Sequence, residues 1–346
     1  MDIKLKPVRE QVIVITGASS GIGLVTAKEA ARRGAKVVLV ARNEHDLEGA
    51  VEGIRAEGGR AAYHVADVAD QDQVDGIGET AVREFGRIDT WVNNAAVALY
   101  GRLADLSTQD MRRQFDVNYW GQVYGSLTAL PHLKVQGGAL INVASALPGR
   151  AIPLQGNYSA TKHALKAFTD ALRMELEEEG APISVTLLKP GSVDTPLFDK
   201  ARSYLGVEPQ PVPPVYAPEV VAGAILACAQ RPLRQVIAGG VGSVLSRSNG
   251  GPRIADESLQ RSPFDAQPSH LTLVSDRRDN LYGPVPDDGG ERGHNYSGRV
   301  MKRSFYTAAS LNPGKTAMVA AAFGIALAAG FRLRRKDARG KFVDEN

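Results

Sequence analysis

The chain is predicted to fold as an α/β domain: a doubly wound parallel sheet with helices on both faces. Three observations predict it. Short runs of consecutive apolar residues recur along the first 240 residues, helix-like segments separate most of them, and a glycine-rich turn follows the first run directly. Strands covered on both faces read as continuous apolar runs, because neither face meets water.

The elements follow in order. The N-terminal MDIKLKPVREQ is charged and has no apolar stretch of the kind a secretory signal needs. The first strand is expected at 12–15, four apolar residues that end at Thr16-Gly17. Further strands are expected at 36–40, 61–65, 88–92, 139–143 and 183–188, with helices at 24–33, 44–57 and 71–85. A last strand at 235–238 follows a helix-like segment at 218–230.

Composition sets the class and the compartments of the chain. With 43% hydrophobic and 23% charged residues in 346, the chain is a soluble globular protein with room for a large core. A lone cysteine, Cys228, excludes an internal disulfide and any cysteine-cluster zinc site, and reads as a buried thiol. The six histidines show no metal-ligand spacing, and His163 reads as a helix-surface residue. The net charge of +3 is uneven. From Arg299 onward ten Lys and Arg face three acids, a net of +7, which leaves −4 on the first 298 residues. That mildly acidic body gives no general reason to expect nucleic-acid binding.

Three regions result: a catalytic domain over 1–246, a polar connector over 247–312, and an apolar helix with basic flanks over 313–346. Between 248 and 298 only 12 of 51 residues are hydrophobic, which predicts an extended or partly disordered connector. Residues 317–331 carry no charge and include seven alanines. As a helix this stretch is about 22 Å long, short of a roughly 30 Å hydrocarbon core. The basic run that follows suits a membrane surface, so peripheral or monotopic attachment through 317–336 is expected in preference to a full span, with packing on protein as the other reading.

Thr16-Gly17-Ala18-Ser19-Ser20-Gly21-Ile22-Gly23 joins the first strand to the first helix. Glycines there permit a tight turn and close approach of a pyrophosphate to main-chain N–H groups at a helix start. At the end of the second strand stands Arg42, where an NAD-preferring enzyme usually has an acid. A guanidinium there suits a 2′-phosphate, so NADP(H) is expected in preference to NAD(H). Tyr158 and Lys162 lie at i and i+4 and share a helix face, and a nearby ammonium is expected to lower the phenol pKa toward neutrality. Ser145 follows the strand at 139–143, on the edge of the sheet where ligands bind.

Together these pieces resemble the short-chain dehydrogenase/reductase family with a single Rossmann-like domain, over about residues 11–240. The matching pieces are TGASSGIG from Thr16, Asp67-Val68, NNAA from Asn93, Asn118, Ser145, YSATK from Tyr158, and Pro190-Gly191 followed by Thr195-Pro196. Ala96 stands where glycine is commoner. The resemblance implies that Tyr158 exchanges a proton with a carbonyl or alcohol, while Lys162 lowers its pKa and holds the nicotinamide ribose. It implies that Ser145 bonds the reacting oxygen and Asn118 holds a water leading to solvent. Gly17, Ser19, Ser20, Gly21, Ile22 and Gly23 would cradle the cofactor, Asp67 and Val68 would meet its adenine, and Asn94 and Ala95 would line the adenosine side. Pro190, Gly191 and Thr195 would border the nicotinamide. It also implies a homodimer or homotetramer built on helices containing 107–130 and 158–178.

The loops 146–156 and 197–218 offer Leu147, Pro148, Ile152, Leu154, Leu197, Phe198 and Tyr204, which suggests an apolar ketone, aldehyde or alcohol. The proline-rich run at 209–218 reads as a semi-rigid lid or hinge. The competing reading is a catalytically silent NADPH-binding or membrane-associated scaffold protein.

Overall fold

A computed structural model of the protein describes residues 3–145, 151–240, 264, 266–274, 277–286, 289–312 and 314. Seven parallel strands form its central sheet: β1 (Val12–Thr16), β2 (Lys36–Ala41), β3 (Arg60–Val65), β4 (Thr90–Asn93), β5 (Gly138–Val143), β6 (Ile183–Pro190) and β7 (Gln235–Ala238). Their order across the sheet is β7-β6-β5-β4-β1-β2-β3. The doubly wound, Rossmann-like sheet expected from the apolar runs is therefore present. β1 pairs with β2 on one side and β4 on the other, so the chain reverses direction across the sheet there and opens a crevice at the strands' carboxyl ends.

Alternation within each apolar run explains why both faces are covered. Ile13 and Ile15 point to one face with Leu39 and Ile141, and pack under α1 (Gly21–Arg32), α2 (Glu44–Ala56) and α7 (Pro218–Cys228). Val14 points to the other with Val38, Trp91 and Leu140, under α3 (Gln71–Phe85), α5 (Gly121–Gln136) and α6 (Gly156–Glu178). Cys228 is fully buried in the first of these cores. Side chains start several helices. Asn43 accepts from the Asp46 amide, Asp70 from that of Gln73, and Ser107 from that of Asp110 at the start of α4 (Thr108–Phe115).

Two departures from expectation affect the site. The helix containing 107–130 runs through a π turn at Asp116–Trp120, which joins α4 to α5 and inserts a wider turn at Asn118. The described part of 247–312 is extended chain laid against the domain. Pro268–Thr272 pairs antiparallel with Val207–Pro209, and Val300–Met301 pairs with Val215–Tyr216. α8 (Phe305–Leu311) then packs beside β7. These pairings hold the described residues after 246 against the domain. The apolar stretch at 317–331 and its basic flank lie outside the described residues. Among the described residues no helix is long and apolar enough to cross a membrane.

Candidate active site

One cleft at the carboxyl edge of the sheet gathers most of the expected site residues. Its floor is the turn after β1. Gly17 adopts φ +66°, and a Cβ there would stand 2.7 Å from Ala95 Cα, so both the backbone conformation and the close approach of β4 demand glycine. Ser19, Ser20, Gly21 and Ile22 line the cleft. Gly23 sits behind them, where a Cβ would collide with the Gly17 carbonyl and stand 2.9 Å from Ala18 Cα. It packs helix on turn and does not face the cleft. Ser20 makes no side-chain cap at the start of α1, which leaves the first-turn N–H groups without that partner. A cradle that a side chain would fill, at a helix start without a side-chain cap, fits a pyrophosphate; the Gly21 N–H there donates to the Gly290 carbonyl at 2.8 Å.

The end of the cleft expected to take an adenosine lies at the carboxyl ends of β2, β3 and β4. Arg42, Asp67, Val68, Asn94 and Ala95 all line it. Arg42 Nη2 donates to the Asn280 carbonyl, and its Nη1 is 3.8 Å from Asp67 Oδ2. Asp67 also pairs with Arg113. Asn94 Nδ2 donates to the Thr16 carbonyl at 2.9 Å, tying the end of β4 to that of β1. Ala96 has no left-handed backbone, so its methyl group is accommodated without strain.

At the other end β5 leads to Ser145, and α6 presents Tyr158 and Lys162. Tyr158 is hydrogen-bonded to Ser145. Lys162 is buried, its Nζ donates to the Val143 carbonyl at 3.0 Å, and it lies 5.6 Å from the Tyr158 ring centroid. Asn118, in the π turn, accepts from Val97 N at 2.8 Å and donates to Val97 O at 3.0 Å, while its Nδ2 lies 3.5 Å from Thr161 Oγ1 on α6. It reaches the pair through these neighbours, outside the cleft wall itself.

The electrostatics differ from expectation. Burial pushes the Tyr158 phenol up to about 12, against the lowering effect of the Ser145 bond. Burial pushes the Lys162 ammonium down to about 7. Taking either group out of water disfavours its charged form, and here that outweighs the mutual attraction read from the i, i+4 spacing. The resting pair is a neutral phenol beside an amine that titrates near neutrality.

Pro190, Gly191 and Thr195 line the cleft beyond this pair, as do Ile152, Leu197 and Phe198. Leu154 is buried with φ +64°, a strained backbone for leucine directly before α6. Tyr204 turns away and donates to Asp110 Oδ2 at 2.7 Å. Leu147 and Pro148 lie outside the described residues. Val212, Pro213 and Pro214 of the proline-rich run form part of the wall. His163 is exposed on α6, its Nδ1 2.8 Å from the Ser159 carbonyl.

Several polar residues were not foreseen, among them Tyr100, Gln155, Gln267 and Asn280. Tyr100 lines the cleft, accepts from Gln155 Nε2 at 2.7 Å, and has its phenol pushed well above the usual range by burial. The same Gln155 nitrogen is 3.0 Å from Oε1 of Gln267, a fully buried residue of the presumed connector. Asn280, from the same region, lines the adenosine end. No sequence motif marks them, since their positions depend on contacts up to 238 residues away in the chain.

The short chain dehydrogenase family matches residues 11–205. The oxidoreductase YxnA of Bacillus subtilis is 43% identical over 342 residues, covering 96% of this chain and 94% of its own length. That match is long enough to take in the C-terminal segment beside the cleft. The short-chain reductase protein NovJ of Streptomyces niveus is 38% identical over 199 residues, covering 57% of this chain and 75% of that one. Among solved structures, the alcohol dehydrogenase of Thermococcus sibiricus complexed with 5-hydroxy-NADP aligns with a TM-score of 0.59 at 28% identity, covering 66% of this chain and 95% of that one. The actinorhodin polyketide ketoreductase with NADPH aligns with a TM-score of 0.52 at 29% identity, covering 56% and 74%.

Proposed function

Because the chain belongs to the short-chain dehydrogenase family, we propose that this oxidoreductase prefers NADP(H) to NAD(H) and interconverts an apolar ketone or aldehyde with its alcohol, with Tyr158 as the general acid or base. The observation that carries the proposal is a single cleft holding the glycine cradle at one end and the Ser145–Tyr158 hydrogen bond, with Lys162 buried one turn on, at the other. NADPH, when bound, supplies the hydride. Ser145 and Tyr158 fix the substrate oxygen. A phenol held near 12 stays protonated at neutral pH, so Tyr158 has a proton to give as negative charge develops on that oxygen. Lys162, titrating near 7, is matched to returning a proton to Tyr158, and Asn118 holds the water that links it to solvent.

The preference for NADP(H) is supported by Arg42 at the adenosine end and by the NADP ligands of both structural neighbours. An apolar substrate is supported by Ile152, Leu197 and Phe198. Exposed Trp120, Leu127 and Met174 on α5, α6 and the π turn support pairing of two copies. The basic-flanked segment at 317–336 supports a cytoplasmic enzyme attached peripherally to a membrane, which liposome flotation of the full chain would check.

The function is tested by following NADPH oxidation with a panel of apolar aldehydes and ketones. Tyr158→Phe is expected to lower turnover by about 10²- to 10⁴-fold while leaving the NADPH Kd nearly unchanged. Turnover retained in that variant would refute the mechanism, and a wild-type protein that binds NADPH yet turns nothing over favours the silent scaffold.

A further inference from the structure

We propose that residues 277–286 form the outer wall of the cofactor's adenosine site, and that the side chain of Asn280 is a binding group for the adenosine half. The inference rests on the dinucleotide reading above and adds a part of the chain that lies beyond the matched family region.

Position is the first argument. Asn280 and Pro284 line the same end of the cleft as Arg42, Asp67 and Val68. The segment also bonds to the residues that shape that end. Arg42 donates to the Asn280 carbonyl, and Asn43 Nδ2 to the Val285 carbonyl at 3.2 Å. Arg113, the ion-pair partner of Asp67, donates to the Leu281 carbonyl at 3.0 Å.

Construction is the second. The segment is clamped to the domain at several points. Leu281 is fully buried in the core cluster that contains Val68, Val97 and Val117. Tyr282 Oη donates to the buried Asp110 at 2.7 Å, and Arg277 donates to Glu208 at 2.6 Å and to the Asp199 carbonyl at 2.7 Å. The Asn280 amide N–H bonds the Lys200 carbonyl at 3.0 Å. A wall fixed in this way meets a ligand without first having to be ordered.

The third argument is an unmet acceptor. Asn280 is only 8% exposed, and its Oδ1 is buried with no hydrogen-bond partner among the described residues. Native proteins rarely leave such an atom unpaired, and one beside a cleft is accounted for by a donor that arrives with the ligand. The adenosine half carries suitable donors in its exocyclic amine and, with the 2′-oxygen phosphorylated, in its ribose 3′-hydroxyl.

The test uses the full-length enzyme and three probes: NADPH, 2′,5′-ADP for the adenosine half, and reduced nicotinamide mononucleotide for the other half. Asn280→Ala keeps the main-chain bonds to Arg42 and Lys200 and removes only the amide. The expected result is a rise of about five- to tenfold in Kd for NADPH and 2′,5′-ADP alike, with the mononucleotide unaffected. A folded Asn280→Ala protein with wild-type affinity for 2′,5′-ADP overturns the proposal. In the unmutated enzyme, 2′,5′-ADP should slow amide hydrogen exchange across 277–286 and the mononucleotide should not. Unchanged exchange at saturating 2′,5′-ADP also overturns it. A wild-type protein that binds neither NADPH nor 2′,5′-ADP overturns the dinucleotide reading itself, and the wall with it.

Discussion

Lys162→Met separates the catalytic use of a buried amine from its effect on stability. The wild-type side chain is 1% exposed, and its Nζ donates to the Val143 carbonyl at 3.0 Å. Burial lowers its pKa from 10.5 to about 7, which at about 1.4 kcal/mol per pH unit is on the order of 5 kcal/mol of penalty on the ammonium. Methionine has a similar length and no charge, and forfeits the bond to Val143 at a cost of about 1–3 kcal/mol. Below pH 7 the lysine is protonated in both native and unfolded states, so its full penalty is present. There the variant should be more stable than wild type by about 2–4 kcal/mol. Between about pH 7 and 10.5 the native lysine has lost its proton and the unfolded one has not. The unfolded chain then holds more protons, wild-type stability rises with pH, and the gap closes by about 1.4 kcal/mol per pH unit until it vanishes between about pH 8.5 and 10. Urea unfolding of both proteins at pH 6, 8 and 9.5, read by tryptophan fluorescence, measures this directly. A stability difference that does not change with pH, or a wild type that is the more stable at pH 6, would refute the reasoning. The same variant should have lost most of its turnover, so that stability and activity move in opposite directions.

Three further outcomes are expected. Arg42→Asp should lower the ratio of kcat/KM for NADPH over NADH by about 10²-fold or more, through loss of a charge-assisted contact and gain of repulsion; an unchanged ratio would remove Arg42 from cofactor choice. Gly23→Ala forces a methyl group against the Gly17 and Ala18 backbone, and should cost about 3 kcal/mol or more in denaturant unfolding, whereas a melting curve like that of wild type would mean the turn can give way. Cys228 is fully buried and its thiol is pushed up to about 12, so a thiol reagent should label it only as the protein unfolds, and rapid labelling of native protein would contradict that burial.

Much of the sheet was legible because its signals are local. A strand covered on both faces must be apolar at every position, so 12–15 stands out without knowledge of its partners. The cradle was legible for the same reason: Gly17 and Gly23 answer to backbone atoms within a few residues or one strand away. The upward push of burial on the Tyr158 phenol is not legible in the spacing, because spacing along a helix reports proximity, whereas desolvation depends on everything packed around the pair. Residues 277–286 read as a loose connector because they act largely through main-chain carbonyls, at Asn280, Leu281 and Val285. Every residue type carries a carbonyl, so a Gly-, Pro- and Asp-rich stretch can build a wall without any periodicity to announce it.

Gln267 meets Gln155 at the substrate end and Asn280 meets Arg42 at the adenosine end, so both ends of the cleft wait on chain that follows the last strand of the sheet. During synthesis a ribosome that has just released β7 has made every residue of the Ser145, Tyr158 and Lys162 group and every strand beneath it. The emerging fragment nevertheless has an empty seat where Leu281 belongs, and a buried Asp110 without the Tyr282 hydroxyl. Such a fragment leaves open the apolar surface that Leu281 covers in the finished fold, the kind of surface that partly folded chains present. The residues of the Ser145, Tyr158 and Lys162 group are encoded early in the chain, whereas the segment that covers the cleft arrives last.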